Sequence, residues 1–410
     1  MPHLWRDRDF RRFWAGQTAS QFGAQSSQVA LPLIAVVALG ASAGELGALR
    51  AVQQAPVLLL SLLVGAWVDR RRTRNVMVLS DLGRALVLGA LPAAWLLGAL
   101  EMPVLYAVAL LVGVLTVCFD VAYQASVVRL VARDRLAPAN SALEGSRSAA
   151  QIGGPAVGGS VVSVLSAPAA AAVSAAFFVL SCLSVRAVRM PEPQPGRGPG
   201  RMGQRIGEGV RLVLRDATLR SVAIASAIFQ FSFAALMTVY LLYLPRVLDL
   251  SGAAIGLVLA ALGPGALVGS WLAAVLPGRR VPYGVVLVSA AVIADAVMLG
   301  VSAVPRSGGV AVVLLVAVNF VFGVAGQVVD VTVVAVRQAI MPVEVQGRVV
   351  ATMNFLGMGL TPLGSLLGGV LAAQWGLSAS MLLTAVALAL SPLFMALSPL
   401  ARLGRTLPNP

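Results

Sequence analysis

Apolar residues in this 410-residue chain fall in unbroken blocks of twenty or more. A helix needs roughly 20 apolar residues to cross a hydrocarbon layer about 30 Å thick, whereas the strands of a membrane barrel alternate every second residue. The blocks therefore predict twelve membrane-spanning helices, at 13–39, 46–68, 75–98, 103–127, 142–165, 168–187, 219–244, 253–276, 282–304, 309–336, 348–373 and 378–399. One interval, 188–218, interrupts the rhythm. Its first half is rich in Pro, Gly and Arg, the composition of an extended linker, and Arg205 to Asp216 predicts a short amphipathic helix at the membrane surface. The pattern reads as an all-α integral membrane protein: an amino-terminal six-helix bundle (1–187), a cytoplasmic basic linker (188–218) and a carboxyl-terminal six-helix bundle (219–410).

Composition sharpens this. Hydrophobic residues make up 59% and charged residues 11% of the chain, against about 25% charged in a soluble domain. A soluble enzyme and a disordered scaffold are both excluded. The net charge of +14 comes from 30 basic residues, all of them Arg. Of these, 26 fall in the tails, the linker and alternate loops, and Arg246 and Arg306 alone occupy the opposite loops. Basic residues gather on the cytoplasmic side, so both termini are expected there, in a bacterial inner membrane. The charge is a topology signal and not a nucleic-acid footprint. Cys118 and Cys182 lie inside apolar runs and His3 is the single histidine. No disulfide framework, metal site or cofactor is expected, and the chain is expected to be a monomer. Ala41-Ser42-Ala43 imitates a signal-peptidase site, but the preceding block is too long and too rich in glutamine for a signal core.

The halves repeat. Gly113 and Asp120 are seven apart in span 4, as are Gly323 and Asp330 in span 10, and GGPAVGG at 153–159 recurs loosely as TPLGSLLGG at 361–369. Carriers are commonly built from such homologous halves with a site between them.

The strongest local signal is Gly65-Ala-Trp-Val-Asp69-Arg70-Arg71-Arg-Thr-Arg between spans 2 and 3. A loop rich in basic residues explains the arginines but not the Gly-x-x-x-Asp-Arg spacing. This stretch resembles motif A of the major facilitator superfamily. The resemblance implies that Gly65, Asp69, Arg70 and Arg71 latch one state of the carrier, with Arg129 at the inner end of span 4 as a partner. The matching place in the second half, 269–280, keeps Gly269 and two arginines but lacks the acid.

A second signal is Gly154-Pro155-Ala-Val-Gly158-Gly159 in span 5. Proline removes a backbone donor and glycines permit tight helix packing. The run is similar to motif C of the antiporter branches, which implies export. Residues 4–23 and 119–155 are similar to the drug:proton antiporter branch that includes macrolide-efflux and enterobactin-export proteins, although Val128-Arg129 stands where relatives commonly place a proline.

Polar groups inside spans complete the reading. Gln17, Gln21, Gln25 and Gln28 recur at helical spacing on one face of span 1. Amides facing lipid are costly, so this face lines either protein or water. The superfamily layout, which places spans 1, 4, 7 and 10 around a cavity, favours water, and Gln230, Asn319, Gln327 and Asn354 would join it. Intramembrane carboxylates are natural proton carriers, because a charge in hydrocarbon costs about 2.5–3.5 kcal/mol even on the lenient insertion scale. Asp120 is the leading candidate for coupling and Asp330 the second. Asp295 lies nearest the membrane centre, in a span where pairing with a neighbour would make it structural. Asp81 and Arg84, three apart, are expected to satisfy each other, and Arg50 to snorkel from the outer end of span 2.

The expected function is secondary active transport: efflux of a hydrophobic or amphipathic small molecule in exchange for protons. The chain has no lysine, hence no G-x-x-x-x-G-K-[ST] nucleotide loop. An uptake carrier of the same fold is the alternative. A membrane-embedded transferase is the remote one, since its metal-binding acid cluster is missing from the sequence.

Overall fold

The computed structural model describes residues 5–68, 71–130, 136–189, 210–276, 281–305, 309–340, 352–353, 355–357 and 359–405. Every regular element among them is helical save one isolated bridge residue at Val281. In chain order they are α1 (Arg8–Leu33, prolonged by a π turn over Ile34–Ala38), α2 (Ala43–Val68), α3 (Thr73–Leu96), α4 (Met102–Leu130), α5 (Leu136–Val164) and α6 (Ala167–Arg186). Then follow α7 (Ala217–Arg246), α8 (Gly252–Ala260), α9 (Leu262–Val275), α10 (Tyr283–Leu299), α11 (Gly309–Ile340), α12 (Thr361–Trp375), α13 (Leu377–Leu388) and α14 (Leu390–Leu397), ending in a 3-10 turn at Pro399–Arg402. Residues 210–215 are also helical, within the stretch expected to be amphipathic.

Local chemistry sets the helix ends. Asp7 accepts hydrogen bonds from the backbone N–H groups of Asp9 and Phe10 at the start of α1, and Asp216 accepts from Leu219 at the start of α7, the usual role of an N-cap oxygen. Gly98 closes α3 with a positive φ of 68°. Its N–H reaches the carbonyl of Trp95 at 3.1 Å while Ala99 N–H reaches Ala94 at 2.8 Å, the paired bonds of a Schellman end.

Ser42 and Glu45 form a capping box. The Glu45 carboxylate accepts from Ser42 N–H at 2.7 Å and from its hydroxyl at 2.8 Å, while Ser42 Oγ accepts from Glu45 N–H at 3.3 Å. The peptidase-like tripeptide is thus the start of α2. Its signal was Ser-x-x-Glu ahead of an apolar run.

Nine helices among the described residues are long and apolar enough to cross a membrane. The chain is a multi-pass membrane protein. Its large apolar side chains accordingly stay on the surface, with Leu59, Leu96, Val313 and Leu397 all more than 60% exposed; water would not tolerate this and lipid does. The other expected spans at 13–39, 46–68 and 142–165 correspond to α1, α2 and α5. The first of these carries the amide ladder, which lowers its mean hydropathy.

The chain divides into two compact units: residues 1–198 with 251–260, and residues 199–250 with 261–410. In the first, α1 packs on α5 and α6, α3 on α4 and α6, α2 on α4, and α8 on α5. Its core joins Phe13, Met77, Phe119, Leu143 and Val185 from five helices. In the second, α7 packs on α12 and α13, and α11 on α9 and α10. Leu219, Leu287, Val336 and Met395 meet in its core.

Candidate functional site

The glycines of α5 serve two different neighbours. Gly153, Gly154 and Gly158 lie against α1, where an added Cβ would strike Phe22, Gln25 and Ser26. Ser26 Oγ–H donates to the Gly154 carbonyl at 3.1 Å. Gly159 faces the other way, onto α8: a Cβ there would sit 2.5 Å from the Gly252 carbonyl oxygen and 2.6 Å from Gly256 Cα. Gly256 in turn meets the Pro155 carbonyl, which a Cβ would approach to 2.8 Å. Gly252-x-x-x-Gly256 is itself a helix-packing motif that the sequence reading passed over. Backbones this close leave no room for a methyl group.

The same construction recurs in the second unit. Gly364 and Gly368 of α12 lie on α7 against the carbonyls of Phe231 and Ala235. They stand 210 residues after Gly154 and Gly158. Gly113 of α4 admits the Gln53 carbonyl of α2, and Gly323 of α11 admits the Leu262 carbonyl of α9. The internal repeat is therefore a repeat of helix packing, glycine for glycine.

Of the latch residues, Asp69 and Arg70 lie outside the described residues, and Gly65 and Arg129 belong to α2 and α4, with their side chains outside them too. Arg71 is exposed and sits over the Trp67 ring, 5.6 Å from its centroid. Close by, Arg74 donates to the Val188 carbonyl at 2.6 Å and Arg12 to the Ala187 carbonyl at 2.8 Å. These two arginines clasp the carboxyl end of α6, where unpaired carbonyls and the helix dipole favour a cation. Sequence reasoning counted both only as topology signals.

Asp81 and Arg84 pair as expected, and both side chains are at most 1% exposed. Arg84 donates to Ser20 Oγ at 3.1 Å, and the hydroxyls of Ser20 and Ser181 both donate to Asp81. The guanidinium lies between the rings of Phe119 and Phe178, 4.5 and 4.2 Å from their centroids. One buried ion pair thus joins α1, α3, α4 and α6. The two serines and two phenylalanines carried no sequence signal, because only tertiary packing brings them together.

The remaining polar candidates separate by burial. Along α1, Gln17 is buried, Gln21 and Gln25 are half-buried and Gln28 is exposed. Gln230 and Gln327 are half-buried. Asn319 is fully buried and donates to the Tyr240 hydroxyl oxygen at 2.8 Å and to the Leu315 carbonyl at 2.9 Å, so it holds α11 to α7. Asn354 lies outside the described residues. Asp120 and Asp330 are both exposed on their helices, again 210 residues apart, and the charges of Arg84 and Arg147 bear on Asp120. Asp295 is buried. Arg50 keeps its Nε buried without a partner among the described residues, as does the Gln54 side-chain oxygen one turn on. Among the described residues no cluster of His, Cys, Asp or Glu could hold a metal ion.

The model of the Major Facilitator Superfamily matches residues 13–360. The chain is 28% identical to the protein named multidrug efflux pump Tap of Mycobacterium tuberculosis over 385 residues, covering 88% of this chain and 86% of that one. To the Tap protein of Mycolicibacterium fortuitum it is 28% identical over 343 residues, 80% of each chain. Among solved structures, a variant of the nucleoside transporter NupG aligns with a TM-score of 0.76 at 13% identity, over 95% of this chain and 99% of that one. A bacterial homologue of the iron transporter ferroportin, in an inward-facing state, aligns with a TM-score of 0.74 at 15% identity, over 95% and 98%.

Proposed function

Because the chain belongs to the Major Facilitator Superfamily and is therefore a transporter of small molecules, we propose that it exports hydrophobic or amphipathic compounds in exchange for protons. The single observation that carries the efflux reading is the likeness, over 88% of the chain, to a protein named for multidrug efflux. Two features support it. The glycine-faced helix crossings bring backbones into direct contact, a geometry suited to helices that pack and part as units. The half-buried amides Gln21, Gln25, Gln230 and Gln327 offer hydrogen bonds without charge, which suits a largely apolar cargo.

In this reading the two homologous halves rock in alternating access. Gly65, Asp69, Arg70, Arg71 and Arg129 form the latch by resemblance to motif A. Gln28 and Asn319 complete the expected polar set, and Asp120, Asp330 and Asp295 are the candidates for the coupling proton. The protein acts as a monomer in a bacterial cytoplasmic membrane, with both termini cytoplasmic.

A susceptibility panel in an efflux-deficient host tests this. Expression of the intact protein raises resistance to several apolar drugs, and Asp69→Asn and Asp120→Asn reduce that gain. Unchanged susceptibility, together with proton-driven accumulation of a labelled solute in vesicles of known orientation, would replace export by uptake.

A further inference from the structure

Four aspartates lie well inside long helices of the first and second units, and they are treated differently. Asp81 is paired with Arg84. Asp120 and Asp330 are exposed on their helices. Asp295, on α10, is 2% exposed, and neither of its oxygens has a hydrogen-bond partner among the described residues.

Among the described residues, the elements packed against α10 give Asp295 no counter-ion. They are α11, α13, α14, the 3-10 turns at 300–303 and 399–402 and, through shared cores, α7, α9 and the helical residues 210–215. Of these, α11 carries Asp330 and Arg337, α7 Arg220 and Arg246, residues 210–215 Arg211 and Arg215 and the last turn Arg402, while α9, α13, α14 and the turn at 300–303 carry no charge. α10 itself adds only Tyr283 as a titratable group. Among the described residues none of these pairs with Asp295, whose two oxygens stay without a hydrogen-bond partner. An unpaired carboxylate in such a place is strongly unfavourable, so the packing accommodates the neutral acid.

The internal repeat sharpens the contrast. At the 210-residue offset, Asp81 and Arg84 correspond to Ala291 and Ala294, and Asp295 corresponds to Ala85. The first unit buries an acid together with its base. The second buries an acid by itself.

We infer that Asp295 is a proton-binding site of the second unit, occupied in the packing described and emptied only when α10 parts locally from its neighbours. On release the carboxyl O–H bond breaks, the proton passes to entering water, and the carboxylate left behind is hydrated. Rocking of rigid units does not by itself expose this group, so the second unit must deform during each cycle. The role in transport rests on the proton-exchange reading above; the bound proton does not.

The test uses the full-length protein in phosphatidylcholine–phosphatidylglycerol vesicles. Infrared spectra of wild type minus Asp295→Asn at neutral pH are expected to contain the C=O band of a protonated carboxyl. Ethidium transport driven by a pH gradient is expected to fall about tenfold or more in Asp295→Asn, while ethidium counterflow without a gradient stays within about twofold. Asp295→Glu, which keeps the acid, shifts the band and retains gradient-driven transport, and it replaces the Asn variant if that one fails to fold. A wild type lacking the band overturns the proton site. Gradient-driven transport undiminished in Asp295→Asn overturns its role in coupling. A wild type that has the band but no gradient-driven transport supports the proton site and removes the exchange reading instead.

Discussion

Gly159 and Gly256 hold α5 and α8 in backbone contact, so close that a Cβ on Gly159 would lie 2.6 Å from Gly256 Cα. Neither helix can give way, because the groups that would clash are main-chain atoms. Gly159→Leu is therefore expected to force the helices apart and to stop ethidium efflux, at a stability cost of about 1–3 kcal/mol from overpacking. Gly145→Leu is the control, since among the described residues nothing lies within 4 Å of a Cβ there. Efflux and thermal melting measured together decide the matter; equal activity of the two variants would refute the crossing as a working contact.

The Asp81–Arg84 pair makes a different prediction. Removing one partner strands a buried charge, at a cost of about 3–5 kcal/mol, whereas replacing both by apolar residues of similar volume is nearly neutral. Asp81→Leu and Arg84→Met are each expected to lower the melting temperature sharply, and the double variant to recover most of the loss. Additive losses in a double-mutant cycle would show that the two do not act as a pair.

The arginine clasp on α6 is weaker and nearer the solvent. Arg74→Ala and Arg12→Ala are expected to cost about 0.3–1 kcal/mol each, the usual worth of a cation at a helix carboxyl end. Salt screening should shrink the effect, so melting curves at low and high ionic strength provide the check. Arg12 is 38% exposed and also meets Asp9 at 3.3 Å, which makes its share the more salt-sensitive.

Acid should loosen the start of α2. The Ser42 backbone N–H, and then its hydroxyl, hold the Glu45 carboxyl below the ordinary carboxylate range. A group lowered on folding contributes stability above its unfolded pKa and loses it as pH falls through the folded one. The amide-exchange protection factors of residues 43–46, taken relative to the intrinsic rate at each pH, are therefore expected to drop at pH values below the ordinary carboxylate range and to stay flat around neutrality. In Ser42→Ala, which lacks the hydroxyl, the acid-induced change should be smaller; an identical profile would refute the capping box.

Much of the candidate chemistry could be read from the chain because it depends on spacing along one helix. The amide ladder, the Asp81–Arg84 pair and the glycine runs at 153–159 and 361–369 are of this kind, since positions three, four and seven apart share a helix face whatever the fold around them. The repeat was legible for the same reason, although only packing revealed that its glycines meet equivalent partners.

The sequence by itself determined that the protein lives in lipid, that its helices are long, and that its halves descend from one pattern, because hydropathy and periodicity are properties of a single segment. Tertiary structure alone decided which buried charge is matched and which is not. Asp81 finds Ser20 and Ser181 from helices distant in the chain, while the oxygens of Asp295 find no hydrogen-bond partner among the described residues, and solvation of a carboxylate depends on everything within a few ångströms. Likewise it sent Gly158 toward α1 and Gly159 toward α8, because adjacent helical residues point about 100° apart and only the assembled bundle says what stands in each direction.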